Sequence, residues 1–130
     1  MQSSDLAGKR LQLLQMAGWQ VNIRQYAWSP PTDVYETENA LVVRVEVAGI
    51  AAGDFNVQIQ DNVLMISGTR YDSPEKRAYH QMEIRYGEFS TSVALPRGLD
   101  LERTTAEYED GFLTVVLPKQ KTTEIKIVRG

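Results

Sequence analysis

The stretch Ala106-Glu107-Tyr108-Glu109-Asp110-Gly111-Phe112-Leu113-Thr114-Val115-Val116-Leu117-Pro118 decides how the rest of the chain is read. It predicts two short strands joined by an Asp-Gly turn. Gly111 tolerates the positive φ that a two-residue hairpin turn demands. On the outgoing strand Leu113, Val115 and Leu117 recur at period two and share one face. On the incoming strand Glu107 and Glu109 share a face and are most simply solvated.

Working outward, the same rhythm recurs. Leu41, Val43, Val45 and Val47 are apolar at alternate positions, with Arg44 and Glu46 turned the other way. Phe55, Val57 and Ile59 alternate with Asn56, Gln58 and Gln60. Leu64 and Ile66 precede Ser67-Gly68, and Phe89, Val93 and Leu95 share a face in a run that ends at Pro96. Asp61-Asn62 fits a turn between two of these strands. The polar stretch 71–78 carries Pro74 and reads as a loop. Period-two runs broken every several residues by Gly, Pro, Asn and Asp predict an all-β, antiparallel, immunoglobulin-like β-sandwich over residues 29–118.

The two flanks differ in composition from this body. Residues 1–28 form an amino-terminal arm, helical over about 5–17, where Leu6, Ala7, Leu11, Leu13, Leu14 and Ala17 fall on one broad face. Ser4 or Asp5 suits the helix start and Gly18 its end. Arg10 lies within the apolar face and Met16 outside it. Trp19, Tyr26 and Trp28 follow, and Pro30-Pro31 stops any helix and favours an extended chain. Residues 119–130 form a carboxy-terminal extension, a polar spacer followed by Ile125-Lys126-Ile127.

Composition narrows the chemistry. A chain of 130 residues with 42% hydrophobic and 24% charged residues fits one soluble domain. A net charge of −3 with mixed signs lacks the basic footprint of a nucleic-acid binder. There is no cysteine, so disulfides, thiolate nucleophiles and cysteine metal sites are excluded. No leader is expected, because the longest apolar run near the start is Leu13-Leu14. No stretch approaches the roughly 20 apolar residues of a membrane span. The expectation is a cytoplasmic protein without stable membrane insertion.

His80 is the sole histidine and reads as a polar surface or interface residue. A multi-histidine metal site is out of reach, and no carboxylate loop pattern, Gly-rich phosphate cradle or nucleophile elbow appears. The chain is therefore expected to be no enzyme and to need no cofactor or metal.

Ala106, Gly111 and Leu113 also match the A-x-x-x-[ND]-G-x-L signature of the α-crystallin domain. Further segments resemble the same family in the same order. Trp28-Ser29-Pro30-Pro31-Thr32-Asp33-Val34-Tyr35-Glu36-Thr37 is similar to W-x-P-x-x-D-[IV]-x-E-T, and Leu64 to Arg70 is similar to L-x-I-x-G-x-R. Val45 to Ile50 resembles E-[LV]-P-G-[VI] with Ala48 in place of proline. The run from Tyr79 to Pro96 resembles Y-H-x-x-E…Y-G-x-F…L-P, with Thr91 where members often carry arginine. Ile125 and Ile127 fit the terminal I-x-I motif. Across residues 28–128 the chain resembles bacterial-type small heat-shock proteins of the Hsp20/α-crystallin domain family.

The resemblance implies an ATP-independent holdase that binds partly unfolded proteins and suppresses their aggregation from a homo-oligomer built of dimers. Its partners are copies of itself and unfolding clients. By resemblance, Ile125 and Ile127 insert into a groove on a neighbour between Phe55, Val57 and Ile59 on one side and Ala106 and Tyr108 on the other. An edge strand closing the chain's own sheet is the alternative for this tail. Tyr79, His80, Gln81, Met82 and Glu83 are implied to leave on the long loop and pair with a partner's sheet; a local hairpin is the alternative. Leu11, Leu13, Leu14, Met16, Trp19 and Trp28 offer adaptable apolar contact to clients or to the assembly. A related sandwich, the CS/p23-like co-chaperone adaptor, lacks the I-x-I end and stands as the alternative function. A β-sandwich enzyme or small-ligand binder has least support.

Overall fold

The computed structural model describes residues 28–129. Among them the strands are β1 (Thr32–Glu36), β2 (Ala40–Glu46), β3 (Phe55–Gln60), β4 (Val63–Arg70), β5 (Gly87–Ala94), β6 (Thr105–Glu109) and β7 (Phe112–Pro118). They form two antiparallel sheets, ordered β1-β2-β7-β6 and β3-β4-β5. The antiparallel sandwich read from the alternation is the architecture observed.

The core fills from the alternate positions the sequence marks. Leu41, Val43, Val45, Leu113, Val115 and Leu117 from the larger sheet meet Leu64, Ile66 and Phe89 from the smaller. Burying each such side chain stabilises the fold by about 1.5–3 kcal/mol before ordering costs. Both hairpin turns lie where the sequence placed them. Asp61 and Asn62 take φ of 50° and 61°, and Asp110 and Gly111 take 52° and 82°. Positive φ at both central residues matches the right-handed twist of the strands they join. Gly111 has a second constraint, because a β-carbon there would sit 3.2 Å from Ala48 Cβ.

Trp28 corrects the arm boundary. Grouped with the client-binding arm by sequence, it is 7% exposed and belongs to the core. Its ring lies 5.4 Å from that of Phe89, and its Nε1 donates to the Gly87 carbonyl at 3.3 Å. The large apolar ring gains more from burial between the sheets than from adaptable surface contact. Leu11, Leu13, Leu14, Met16 and Trp19, with the helix expected over 5–17, lie outside the described residues.

Rings continue across the interior. Phe55 lies 6.0 Å from Phe89 and 4.9 Å from Tyr108, so Tyr108, Phe55, Phe89 and Trp28 form an unbroken aromatic run between the sheets. Strand β4 departs from simple alternation: Val63, Met65 and Ser67, on the side away from Leu64 and Ile66, are buried too.

Candidate functional site

The candidate site is a set of open rims and exposed apolar segments. Among the described strands β3 and β6 each lie at the edge of their sheet, and the Phe55–Tyr108 ring contact brings them to the same side of the sandwich. Phe55, Val57 and Ile59 are only half-buried although they face the core. Ala106 shares its face with Tyr108 and is paired with the buried Val115, yet it is exposed. The groove expected from the sequence would run between these two edges, where Phe55 and Tyr108 are in ring contact, Val57 and Ile59 are half-buried against the core, and Ala106 is exposed.

Tyr108 fixes one end of that groove. Its hydroxyl donates to the Val47 carbonyl at 2.8 Å and accepts from the Ile50 amide at 3.4 Å. A half-buried phenol gains from such partners, because an unpaired hydroxyl would lose hydration without compensation.

The tail does not fill the groove of its own chain. Lys119 bridges Leu99 and the Gln120 amide donates to the Gly98 carbonyl, which ends the ordered pairing. Beyond it Ile125 and Ile127 are 86% and 92% exposed and join no strand. The edge strand considered as an alternative for this tail is not formed within the chain.

The segment from Tyr79 to Glu83 is likewise unpaired. Residues 71–86 hold no strand, so the loop is longer than the 71–78 read from sequence and the local hairpin is absent. Met82 and Ile84 stand exposed on it. Nearby, Asp72 accepts from the Tyr79 hydroxyl at 3.0 Å and pairs with Arg77 at 3.2 Å. That hydrogen bond to a carboxylate, with a smaller contribution from desolvation, raises the Tyr79 pKa against the opposing pull of Arg77. His80 is exposed.

At the other end of the larger sheet, β1 is its second edge among the described strands. Val34 faces the interior beside Val43, yet it is 47% exposed. One end of this side is closed by a hydroxyl pair: Thr32 Oγ1 lies 3.1 Å from Thr91 Oγ1 and 3.0 Å from the Pro30 carbonyl. With one proton, Thr32 donates to the carbonyl and accepts from Thr91. Thr91 is buried, so the place where arginine was expected by resemblance holds a neutral, satisfied group.

Arg70 and Gly68, which the sequence marks only as members of a motif, each have a structural role. Arg70 Nε and Nη2 donate to the Arg85 carbonyl at 2.8 and 2.6 Å, and Nη1 donates to the Ala48 carbonyl at 3.3 Å. Its guanidinium stacks 4.4 Å from the Trp28 ring. Arginine alone offers this flat, multi-donor geometry, so Arg70 ties the returning end of the long loop to the body. A cleft of about 810 Å³ lies alongside, lined by Trp28, Arg70, Ile84 and Tyr86 among others. The signal that would have found the pair is the spacing of an aromatic before β1 and an arginine ending β4. Gly68 gives way to the ring of Phe89.

Among the described residues no group of three or more His, Asp or Glu side chains is placed to hold a metal ion, and no helix is long and apolar enough to cross a membrane. Edge strands and exposed apolar segments of this kind can add strands and bury apolar side chains.

Comparison with known proteins agrees with this geometry. A profile described as the Hsp20/alpha crystallin family matches residues 33–129. Small heat shock protein C4 of Rickettsia felis is 36% identical over 103 residues, covering 78% of this chain and 63% of that protein. The 17.9 kDa class II heat shock protein of Helianthus annuus is 40% identical over 99 residues, covering 74% of this chain and 62% of that protein. The chain thus spans somewhat under two thirds of the length of these two relatives. Among solved structures, a small heat-shock protein from Xylella fastidiosa, described as having a distinct high order structure, superposes with a TM-score of 0.71 at 30% identity. That match covers 79% of this chain and 96% of the other.

Proposed function

The chain belongs to the Hsp20/alpha crystallin family, and from that premise we propose that it is an ATP-independent holdase working from a homo-oligomer. Membership of a family of small heat shock proteins supports a chaperone role in stress. One observation carries the finer reading. Half-buried Phe55, Val57 and Ile59 on the edge strand β3 lie on the same side as β6, and elsewhere the same chain carries two isoleucines that are almost fully exposed. Groove and tail are complementary in chemistry: an extended segment adds main-chain hydrogen bonds to a free edge while alternate side chains enter the groove.

Each isoleucine buried in this way contributes about 1.5–3 kcal/mol before ordering costs. A single contact is weak and reversible, and many in a closed symmetric particle hold it together. The dimer beneath it forms when residues 79–83 pair with the free edge of a partner's β1. Strand addition also covers an edge that would otherwise invite aggregation. Clients losing their fold expose apolar surface and unpaired edges, which the apolar residues of the arm and the emptied grooves shield.

The test is light scattering from a heated client enzyme, with and without the protein and without nucleotide, alongside native mass measurement. The expected result is suppressed scattering and a particle many times the protomer mass. A strictly monomeric protein with no effect on scattering would overturn the proposal. Deleting residues 124–130 separates it from the adaptor reading, because an adaptor keeps its assembly size without the tail.

A further inference from the structure

The two faces of the β6 edge differ in chemistry. Ala106 and Tyr108 share the inner face, opposite Val115 and Leu113 of β7, while Thr105, Glu107 and Glu109 turn outward and are exposed. Across the ladder Glu107 meets the neutral Thr114. Arg44, one strand further, holds its guanidinium 4.6 Å from the Phe112 ring. The edge strand of the other sheet, β3, carries only the uncharged Asn56, Gln58 and Gln60 on its outward face.

The tail has a matching alternation. In an extended strand Ile125 and Ile127 share one face, and Glu124, Lys126 and Val128 share the other. Glu107, Glu109, Glu124 and Lys126 join no ion pair among the described residues. This spacing fixes a register. With Ile125 and Ile127 beside Ala106 and Tyr108, Lys126 falls beside Glu107 whichever way the tail runs. Glu124 then decides the direction. In an antiparallel tail it lies opposite Glu109, and like charges directly opposite are destabilising. In a parallel tail it lies beside Thr105, and Val128 takes the place beside Glu109. On β3 the same lysine would meet only amides and gain no ion pair.

The added strand comes from another copy. Within its own chain the tail leaves along the line of β7, where Lys119 donates its amide to the Asn39 carbonyl at 2.9 Å and Gln120 donates to Gly98 at 2.8 Å. Strand β7 runs antiparallel to β6, so a tail lying parallel to its own β6 would have to reverse direction. No such strand forms there.

We propose that residues 124–128 of a second copy add to the edge of β6, parallel to it, with Lys126 paired to Glu107 and Glu124 kept away from Glu109. This rests on the reading that the tail joins one copy to the next. Charge then sets the edge, the register and the direction of that joint, and salt weakens it by screening the exposed pair.

Full-length variants at exposed positions test it. In Lys126→Glu and in Glu107→Lys the concentration of half-assembly, read by native mass spectrometry, should rise at least about threefold. Lys126→Glu/Glu107→Lys should restore the native value. Unchanged assembly in both single variants, or a double variant no better than either, overturns the proposal. The chain has no cysteine, so direction is read by disulfide trapping. Protein carrying Val128→Cys is mixed with copies carrying Glu109→Cys, Thr105→Cys or Gln58→Cys and oxidised, and links between unlike chains are identified by mass. Linkage should favour Glu109→Cys, because directly opposed positions lie within reach of a disulfide. Preferred linkage to Thr105→Cys means an antiparallel tail and preferred linkage to Gln58→Cys places it on β3; either result, or no linkage at all, overturns the proposal. Ile125→Ala/Ile127→Ala tests the underlying reading separately. A particle left whole by that variant removes the tail as a joint. A particle that shrinks there but ignores the charge variants leaves the joint standing and overturns only its edge, register and direction.

Discussion

A β-carbon at position 68 would lie 2.6 Å from Cζ of Phe89 and 2.9 Å from the Asp54 carbonyl oxygen, so the Phe89 ring occupies the space that Gly68 leaves free. Phe89 is fully buried and stacks with both Trp28 and Phe55. The ring cannot swing aside without disturbing both neighbours, and the Asp54 oxygen belongs to the backbone. Gly68→Ala should therefore overpack the core and cost about 1–3 kcal/mol. Urea unfolding followed by circular dichroism checks it; an unchanged midpoint would mean that the ring relaxes freely.

Ile125 and Ile127 are almost fully exposed and join no strand among the described residues. Ile125→Ala/Ile127→Ala should leave the unfolding midpoint of the sandwich unchanged and reduce the assembled mass to small species. Losing about 1.5–3 kcal/mol per docked isoleucine weakens each joint by at least about tenfold. Native mass spectrometry at micromolar concentration reads the outcome, and a full-sized particle would remove the tail from the assembly.

Arg70 should act as the anchor of the long loop. Arg70→Lys keeps the charge but loses the paired donation to the Arg85 carbonyl. The expected result is several-fold faster tryptic cleavage within residues 71–86 at a stability cost of about 1–2 kcal/mol. Limited proteolysis of both proteins, scored by mass, checks it. Equal cleavage rates would assign Arg70 to core packing against Trp28 alone.

Alkaline pH should open the small ring closed by Asp72, Arg77 and Tyr79. The hydrogen bond to Asp72 raises the Tyr79 pKa above its ordinary 10.0. The sign follows from linkage: a raised pKa holds the neutral phenol. The closure is thus fully present below the unfolded value and lost as pH rises through the folded one. Tyrosinate absorbance, taken as the difference between the native chain and Tyr79→Phe, isolates this group. In Asp72→Asn its ionisation should move to lower pH.

Much of this was legible because burial on one face writes a period of two into the sequence. The runs around Val43, Val57 and Val115 and the turns at Asp61-Asn62 and Asp110-Gly111 are where the alternation placed them. Trp28 was not legible, since its partner Phe89 lies far along the chain and Pro30-Pro31 looked like a domain boundary. Met65 was not legible either, because alternation assigns it to the outward face of β4, where it is nevertheless buried. The length of the loop escaped because Tyr79 to Glu83 reads as a strand yet has no ladder to join within one chain. The groove residues were named by resemblance; what the sequence alone could not give is that Ala106 stays uncovered beside a buried Val115.

The aromatic run from Tyr108 to Trp28 fastens the two sheets from within, while the groove, the β1 edge and the tail all lie on the perimeter. In the proposed particle, warming would open the seams between protomers and leave each sandwich whole, so that recovery on cooling would require re-docking rather than refolding.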